Sequence, residues 1–228
     1  MKKMFDRLEL LVGGEGISRL HKANILVFGV GGVGSNLVNM LVRSGIENLS
    51  LVDFDTIDVT NINRQAVANS ANVGKIKVEE MASQLKVINP NVNIKTYPIK
   101  LSEDTISQIN FDGIDYIVDC IDDISAKKLL IKYATEHNIP LLAAMGAGNR
   151  YKGVPNFQIA DISKTSYDPI AKILRKFCKD ERIKKYIVCY TTEKAEQINC
   201  KTIGSVVYYV VNMASVMCAK IINDIIGG

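Results

Sequence analysis

Ile25-Leu-Val-Phe-Gly-Val-Gly-Gly-Val-Gly-Ser35 is the stretch on which the fold turns. Its continuous apolar start is typical of a central strand in a parallel sheet. The run breaks at Gly29 into a glycine-rich turn, and helical apolar spacing follows from Gly34 to Arg43. A strand that passes through glycines into a helix start offers backbone N–H groups to phosphate. Gly45 sits where a C′ glycine ends the helix, and Asn48 to Val52 reads as the next strand. Residues 24–53 therefore form a compact βαβ unit.

Further along, strand and helix patterns alternate. A helix is expected from Lys75 to Ile88, ended by Asn89-Pro90, then a strand at Asn93 to Ile99 and a short helix at Ser102 to Ile109. A buried strand at Tyr116 to Cys120, a helix at Ser125 to His137 and a strand at Ile139 to Ala144 complete the series. Such alternation predicts an α/β, Rossmann-like, doubly wound and mostly parallel sheet with helices on both faces. After Gly148 the pattern changes: strands at Phe157 to Ile162 and Tyr186 to Thr191 flank a helix from Asp168 to Cys178. These read as a small C-terminal extension on the same sheet. The expectation is one domain over 1–228, with an N-terminal helical segment at 1–23, a nucleotide-binding core at 24–148 and the extension at 149–228.

The bulk numbers agree with an ordinary globular chain: 228 residues, 47% hydrophobic, 23% charged, formal net charge +4. A mild positive balance permits nucleic-acid binding without demanding it. Five widely spread cysteines with no CxxC pair argue against disulfides and zinc, and for a reducing, cytoplasmic setting. Met1 to Leu20 carries seven charged residues and does not read as a signal peptide. Val206 to Ala219 is strongly apolar but shorter than the roughly 20 residues a bilayer requires, and reads as a buried core helix rather than a membrane span.

Ligands of open α/β sheets gather beyond the carboxyl ends of the strands, and four constellations fall there. Gly29, Gly31, Gly32 and Gly34 form the first, which by spacing alone fits a dinucleotide fingerprint. Asp53, 19 residues after Gly34, suits ribose hydroxyls of a dinucleotide or of ATP, while Asp55 could be a turn residue. Arg64 with Lys77 discriminates. Hydride transfer breaks no phosphoryl bond, whereas cleaving ATP between its α and β phosphates moves negative charge onto pyrophosphate, which an arginine fork and a lysine point charge can stabilise. The fourth is Asp119-Cys-Ile-Asp122-Asp123, where carboxylates could hold Mg²⁺ or cap the helix that follows.

Taken together, Gly29 to Ser35, Asp53-Phe-Asp55, Asn61-Ile-Asn-Arg-Gln65, Val73-Gly-Lys-Ile-Lys-Val78 and Asp119-Cys-Ile-Asp122 resemble the adenylating core of the ubiquitin-activating-enzyme superfamily, which includes the MoeB and ThiF proteins. The resemblance implies that the glycines, Asp53, Asp55, Asn61, Arg64, Lys77, Asp122 and Asp123 bind ATP, with Asp122 on Mg²⁺. Phe5-Asp-Arg-Leu-Glu-Leu-Leu-Val-Gly-Gly-Glu-Gly16, Met145-Gly-Ala-Gly-Asn149 and Phe157-Gln-Ile-Ala-Asp-Ile-Ser-Lys-Thr165 narrow it to the tRNA threonylcarbamoyladenosine dehydratase branch. That branch uses ATP to cyclise a modified adenosine beside the tRNA anticodon. The resemblance further implies a homodimer in which Arg7 acts across the interface, with Arg7, Arg64, Lys77 and Asp122 catalytic. It adds a monovalent cation at the Met145–Asn149 loop and a sulfur-transfer protein as candidates. MoeB- or ThiF-like adenylation of a small sulfur-carrier protein is the alternative activity, and an NAD-binding module a third reading.

The basic stretch from Lys172 to Lys185, with Arg175, Lys176 and Lys179 on the expected helix, could track tRNA phosphates or be a solvated face. His21 and His137 read as solvent-facing and structural.

Overall fold

The computed structural model describes residues 3–200 and 202–227; Met1, Lys2, Lys201 and Gly228, ends of the expected 1–228 span among them, lie outside it. Helix α1 (Asp6–Lys22) leads into β1 (Asn24–Phe28), α2 (Gly32–Arg43) and β2 (Asn48–Val52). Then come α3 (Lys77–Ile88), β3 (Asn93–Tyr97), β4 (Tyr116–Asp119), α4 (Ile124–Glu136), β5 (Leu141–Ala144), β6 (Phe157–Asp161), α5 (Pro169–Asp180), β7 (Ile187–Thr191) and α6 (Val207–Gly227). The strands form one seven-stranded sheet in the order β3-β2-β1-β4-β5-β7-β6, parallel except for β6 against β7. The chain winds outward from β1 to β3 and restarts at β4 on the other side of β1. This switch opens a crevice beyond the carboxyl ends of β1 and β4.

The central strands are buried on both faces, as their unbroken apolar runs require. On one face α1, α2, α3 and α6 close a core that includes Leu20, Leu37, Leu41, Met81, Met213 and Met217. On the other, α4 and α5 close two smaller clusters, around Leu130 and around Leu174. Helix α2 ends as its sequence demands. Gly45 (φ +91°) is the C′ residue, its amide reaching Val42 O at 3.2 Å while the Ile46 amide reaches Leu41 O at 3.1 Å, a Schellman closure.

Several expectations shift. Helix α3 starts at Lys77 rather than Lys75, because Thr56 pairs with Ile76 and the Ile57 amide bonds Lys75 O, which holds Ile76 extended just before the helix. The expected helix at 102–109 is only a 3₁₀ turn, Ile106–Gln108. There Thr105 Oγ1 accepts from the Ser102 amide and donates to Lys100 O, and such side-chain bonds compete with a helix. His21 is not solvent-facing: it is half-buried, with the Phe5 ring 5.4 Å away, Glu47 at 3.7 Å and Nε2 buried without a partner. His137 does lie exposed, at the end of α4. Helix α1 is kinked at Gly13 (φ +71°).

Helix α6 is long and apolar enough to cross a membrane, but it packs one face against α2 and the sheet. Tyr209, Val210, Met213, Ala214, Met217, Cys218 and Ile221 are buried in that face, while Val207 and Tyr208 are exposed. It is a core helix, as expected, with one face buried and the other partly exposed.

Candidate nucleotide site

The carboxyl ends of β1, β2, β4 and β5 all point to one edge, and four of the sequence-selected segments converge there. Cys120 N donates to Phe28 O (2.7 Å) and Gly29 N to Val52 O (2.8 Å), which draws the three strand ends together. Two glycines are sterically required. A Cβ on Gly29 (φ +86°) would stand 2.7 Å from Cys120 O, and one on Gly34 would stand 1.9 Å from Gly29 O. No side chain caps the start of α2, so the amides of its first turn remain for an anion.

Asp53 grips this loop. One carboxylate oxygen accepts from the Val30 amide (2.7 Å) and the other from the Asp55 amide (2.9 Å). Burial pushes its pKa above the usual carboxylate value, against the lowering effect of those two amides and of Lys77. The Asn61–Ala66 segment is fastened to the same helix start. Asn36 Nδ2 donates to both Gly32 O (2.7 Å) and Arg64 O (3.1 Å), and Ser35 Oγ donates to Gly31 O and accepts from the Ala66 amide. The Arg64 side chain thus runs past Gly32, where an added Cβ would meet Arg64 Cγ at 3.6 Å, and its guanidinium bonds Thr60 O and Asn63 Oδ1.

Asn61 is buried and its side chain closes a capping box with Asp58, so its oxygen has a structural duty. Gln65, not singled out as a site residue, is buried beside Gly31, with Oε1 lacking a partner. Its place inside Asn61–Gln65 was the only signal for it. Lys77 sits at the first turn of α3, its side chain only 6% exposed, with Nζ 2.8 Å from Asp55 Oδ2. Asp122 is exposed and engages no partner among the described residues. Asp123 caps α4, Oδ1 accepting from the Ala126 amide at 2.9 Å. Arg7 lies apart, exposed on the first half of α1.

Two residues beneath the site, Lys127 and Arg150, carry no signal in the sequence, and Asp119, a candidate Mg²⁺ carboxylate by position, is turned inward instead. Asp119 and Lys127 form a fully buried ion pair at 3.1 Å, and Lys127 Nζ also donates to Ala144 O, the last residue of β5. Burial raises the Asp119 pKa, and the lysine opposes this. Beyond Ala144, buried Arg150 donates to Gly146 O, Gly148 O and Glu193 O, and so holds the Met145–Asn149 loop. These pairings cannot be read from spacing.

Elsewhere, four of the five thiols are poor candidates for chemistry: burial raises Cys178 and Cys218 to about 11 and Cys189 to about 12, and pushes Cys120 higher still. Among the described residues no group of three or more His, Cys, Asp or Glu gathers as a metal site. Arg175 is not free for phosphates as expected. It turns inward to Thr165 O (2.7 Å), the Thr165 hydroxyl and Ile162 O, completing the end of a 3₁₀ turn.

Known proteins with this arrangement agree with it. The chain is 42% identical over 185 residues to the tRNA threonylcarbamoyladenosine dehydratase of Bacillus subtilis, covering 81% of this chain and 72% of that protein. It superposes on the crystal structures of the Escherichia coli tRNA N6-threonylcarbamoyladenosine dehydratase in complex with AMP and with ATP, at TM-scores of 0.91 and 0.90, with 29% identity, covering 98% of this chain and 94% of that one. The molybdopterin-synthase adenylyltransferase of Haemophilus influenzae is 30% identical over 161 residues, covering 71% of this chain and 65% of that protein. A family profile matches residues 5–227. With the glycine loop, the acid pair and the Arg64 segment at one switch point, the chain belongs to the ThiF family.

Proposed function

We propose that this enzyme uses ATP to dehydrate threonylcarbamoyladenosine in tRNA, closing its side chain into a ring through an acyl adenylate. One observation carries the nucleotide part: the open first turn of α2, Asp53, the Arg64 segment and Lys77 converge on one crevice. The higher identity to the dehydratase than to the molybdopterin-synthase adenylyltransferase carries the choice of substrate.

The threonyl carboxylate attacks the α-phosphate of ATP, forming a P–O bond as the bond to pyrophosphate breaks. The tethered carbamoyl group then attacks the acyl carbon, AMP leaves with the carboxylate oxygen, and a proton passes to solvent. A hydroxide leaving group is thereby replaced by AMP, and tethering gives ring closure a high effective molarity. The α2 amides and Gly29, Gly31, Gly32 and Gly34 cradle phosphate, and Asp53 receives ribose hydroxyls. Arg64 and Lys77 meet the charge that develops on pyrophosphate. Asp55 holds Lys77, while Asn61 and Asp123 shape the walls. Asp122, a single exposed carboxylate, fits Mg²⁺, which needs one or two acids beside phosphate oxygens. When bound, Mg²⁺ would neutralise phosphate charge.

Residues 1–23, 24–148 and 149–228 act in this reading as an arm, a nucleotide core and an extension of one adenylating domain. We place Arg7 on the ATP of a second copy. Leu10 and Leu11, 86% and 84% exposed beside it on α1, support a homodimer through that arm. A monovalent cation that orders the Met145–Asn149 loop and a sulfur-transfer partner complete the proposal, with the cytoplasm as its place of action.

Incubation with ATP, Mg²⁺ and tRNA bearing threonylcarbamoyladenosine, followed by nucleoside mass spectrometry, tests it. Loss of one water with AMP formation is expected. An unchanged nucleoside with carrier-protein-dependent AMP release would transfer the site to sulfur-carrier adenylation.

A further inference from the structure

We propose that the outer face of α4 and α5 is a track for RNA backbone phosphates. This rests on the tRNA reading above for the identity of the RNA. Helix α5 is two-sided: Ala171, Leu174 and Cys178 are buried, while Lys172, Lys176 and Lys179 form one exposed stripe. Helix α4 brings Lys128 and Lys132 up to that stripe, with their ammonium groups 5.3 and 5.7 Å from the centre of the Phe177 ring on α5. Past the end of α5, Arg182, Lys184 and Lys185 are exposed and carry the cations on to the rim of a cleft of about 590 Å³, whose walls include Ile139, Leu141 and Ile183.

The charge balance of the whole chain lies here. Residues 164–185 hold eight Lys or Arg against three Asp or Glu, a net of +5, so the remainder of a chain that nets +4 stands at −1. Lys132 is paired with Glu181 at 3.1 Å, but Lys172, Lys176, Lys179, Arg182, Lys184 and Lys185 make no ion pair among the described residues. Such a row of unneutralised cations favours a polyanion that releases counterions on binding. Stable seating on a lipid surface calls for an exposed apolar face to bury, and α5 spends Ile170, Leu174 and Phe177 on the core, leaving Ile173 as its one exposed large hydrophobic among the described residues. Arg175 takes no part, because its guanidinium is bound to Thr165 and Ile162.

Titration of the full chain with labelled tRNA over a salt series tests the track, using Lys172→Glu/Lys176→Glu/Lys179→Glu, the milder Lys128→Gln/Lys132→Gln, and Lys86→Glu on α3 as a control. The triple variant is expected to bind about tenfold more weakly or worse and to lose about 2 from the log–log salt slope, since each lost phosphate contact removes roughly 0.7 to 0.9. The control should match wild type, and thermal melting checks that each variant folds. If both lysine variants bind with unchanged affinity and slope while wild type still converts the nucleoside, the track is overturned and the function stands. If wild type binds tRNA through these lysines but converts nothing, the function falls and the track stands. Loss of binding to anionic phospholipid vesicles with tRNA binding intact would overturn the track in favour of a membrane surface.

Discussion

Lys77 and Asp55 are joined twice: Lys77 Nζ lies 2.8 Å from Asp55 Oδ2, and the Lys77 amide donates to Asp55 O at 3.0 Å. The lysine side chain is 6% exposed and the carboxylate 47%, so the pair shows its acid to the crevice and keeps its cation behind. On the mechanism proposed, substrate phosphate draws Nζ away from a partner that water can solvate.

Lys77→Ala is therefore expected to cut turnover by about 10² to 10³, in the range for a lost charge-stabilising group. Stability should fall little, because Asp55 stays hydrated. Lys77→Arg should recover only part of the rate, since a planar fork does not replace a point charge. Single-turnover kinetics beside thermal melting checks this, and a large melting loss with unchanged turnover would count against the role.

The Asp119–Lys127 pair behaves in the opposite way, because both partners are buried. Lys127→Met leaves an uncompensated carboxylate and should destabilise by about 3–5 kcal/mol near neutral pH. The sign with pH follows from the raised Asp119 pKa. A folded-state pKa above the unfolded value favours folding fully below the unfolded value of 3.8, and that contribution is lost as pH rises through the folded pKa. Removing the lysine raises the folded pKa further, so the variant's deficit should shrink on acidification from pH ~7 toward pH ~5. Urea unfolding at both pH values measures it, and an equal deficit at both would refute the account.

Gly34→Ala and Gly32→Ala should separate cleanly. The first places Cβ 1.9 Å from the carbonyl oxygen of Gly29, a clash of backbone on backbone. It should abolish nucleotide binding and cost several kcal/mol, as strain at a special site does. The second meets only Val210 and Arg64 side chains, at 3.2 and 3.6 Å, which can yield. Thermal melting with and without ATP gives the ranking.

Native alkylation should modify a single cysteine. Cys200 is exposed, Cys178, Cys189 and Cys218 are buried, and Cys120 is half-buried with its thiol pKa raised by desolvation. Intact-mass analysis should show one adduct before unfolding and five after, with turnover undisturbed by the first. Inactivation on loss of the Cys200 thiol would instead point to a catalytic role.

Much of this molecule was legible from local pattern. The strand–glycine–helix unit at 24–45 declared itself because a buried parallel strand is continuously apolar and because Gly45, with its positive φ, takes a conformation few other residues adopt. The acid at the end of β2 and the Arg64 segment were equally visible, since each stands at a strand end or inside a compact motif. Their functional grouping followed from resemblance.

What the chain alone determined is therefore the order of its elements and the residues at each carboxyl end. Tertiary structure decided which of those residues meet. It set β7 beside β5 and turned β6 antiparallel along the edge. It buried Lys127 against Asp119 and Lys77 behind Asp55, turned Arg175 inward, and left Lys172, Lys176 and Lys179 facing out. The reason is physical: periodicity and backbone conformation are local properties, whereas desolvating a charge depends on which distant segment packs over it, and neighbouring lysines of one composition end in opposite environments.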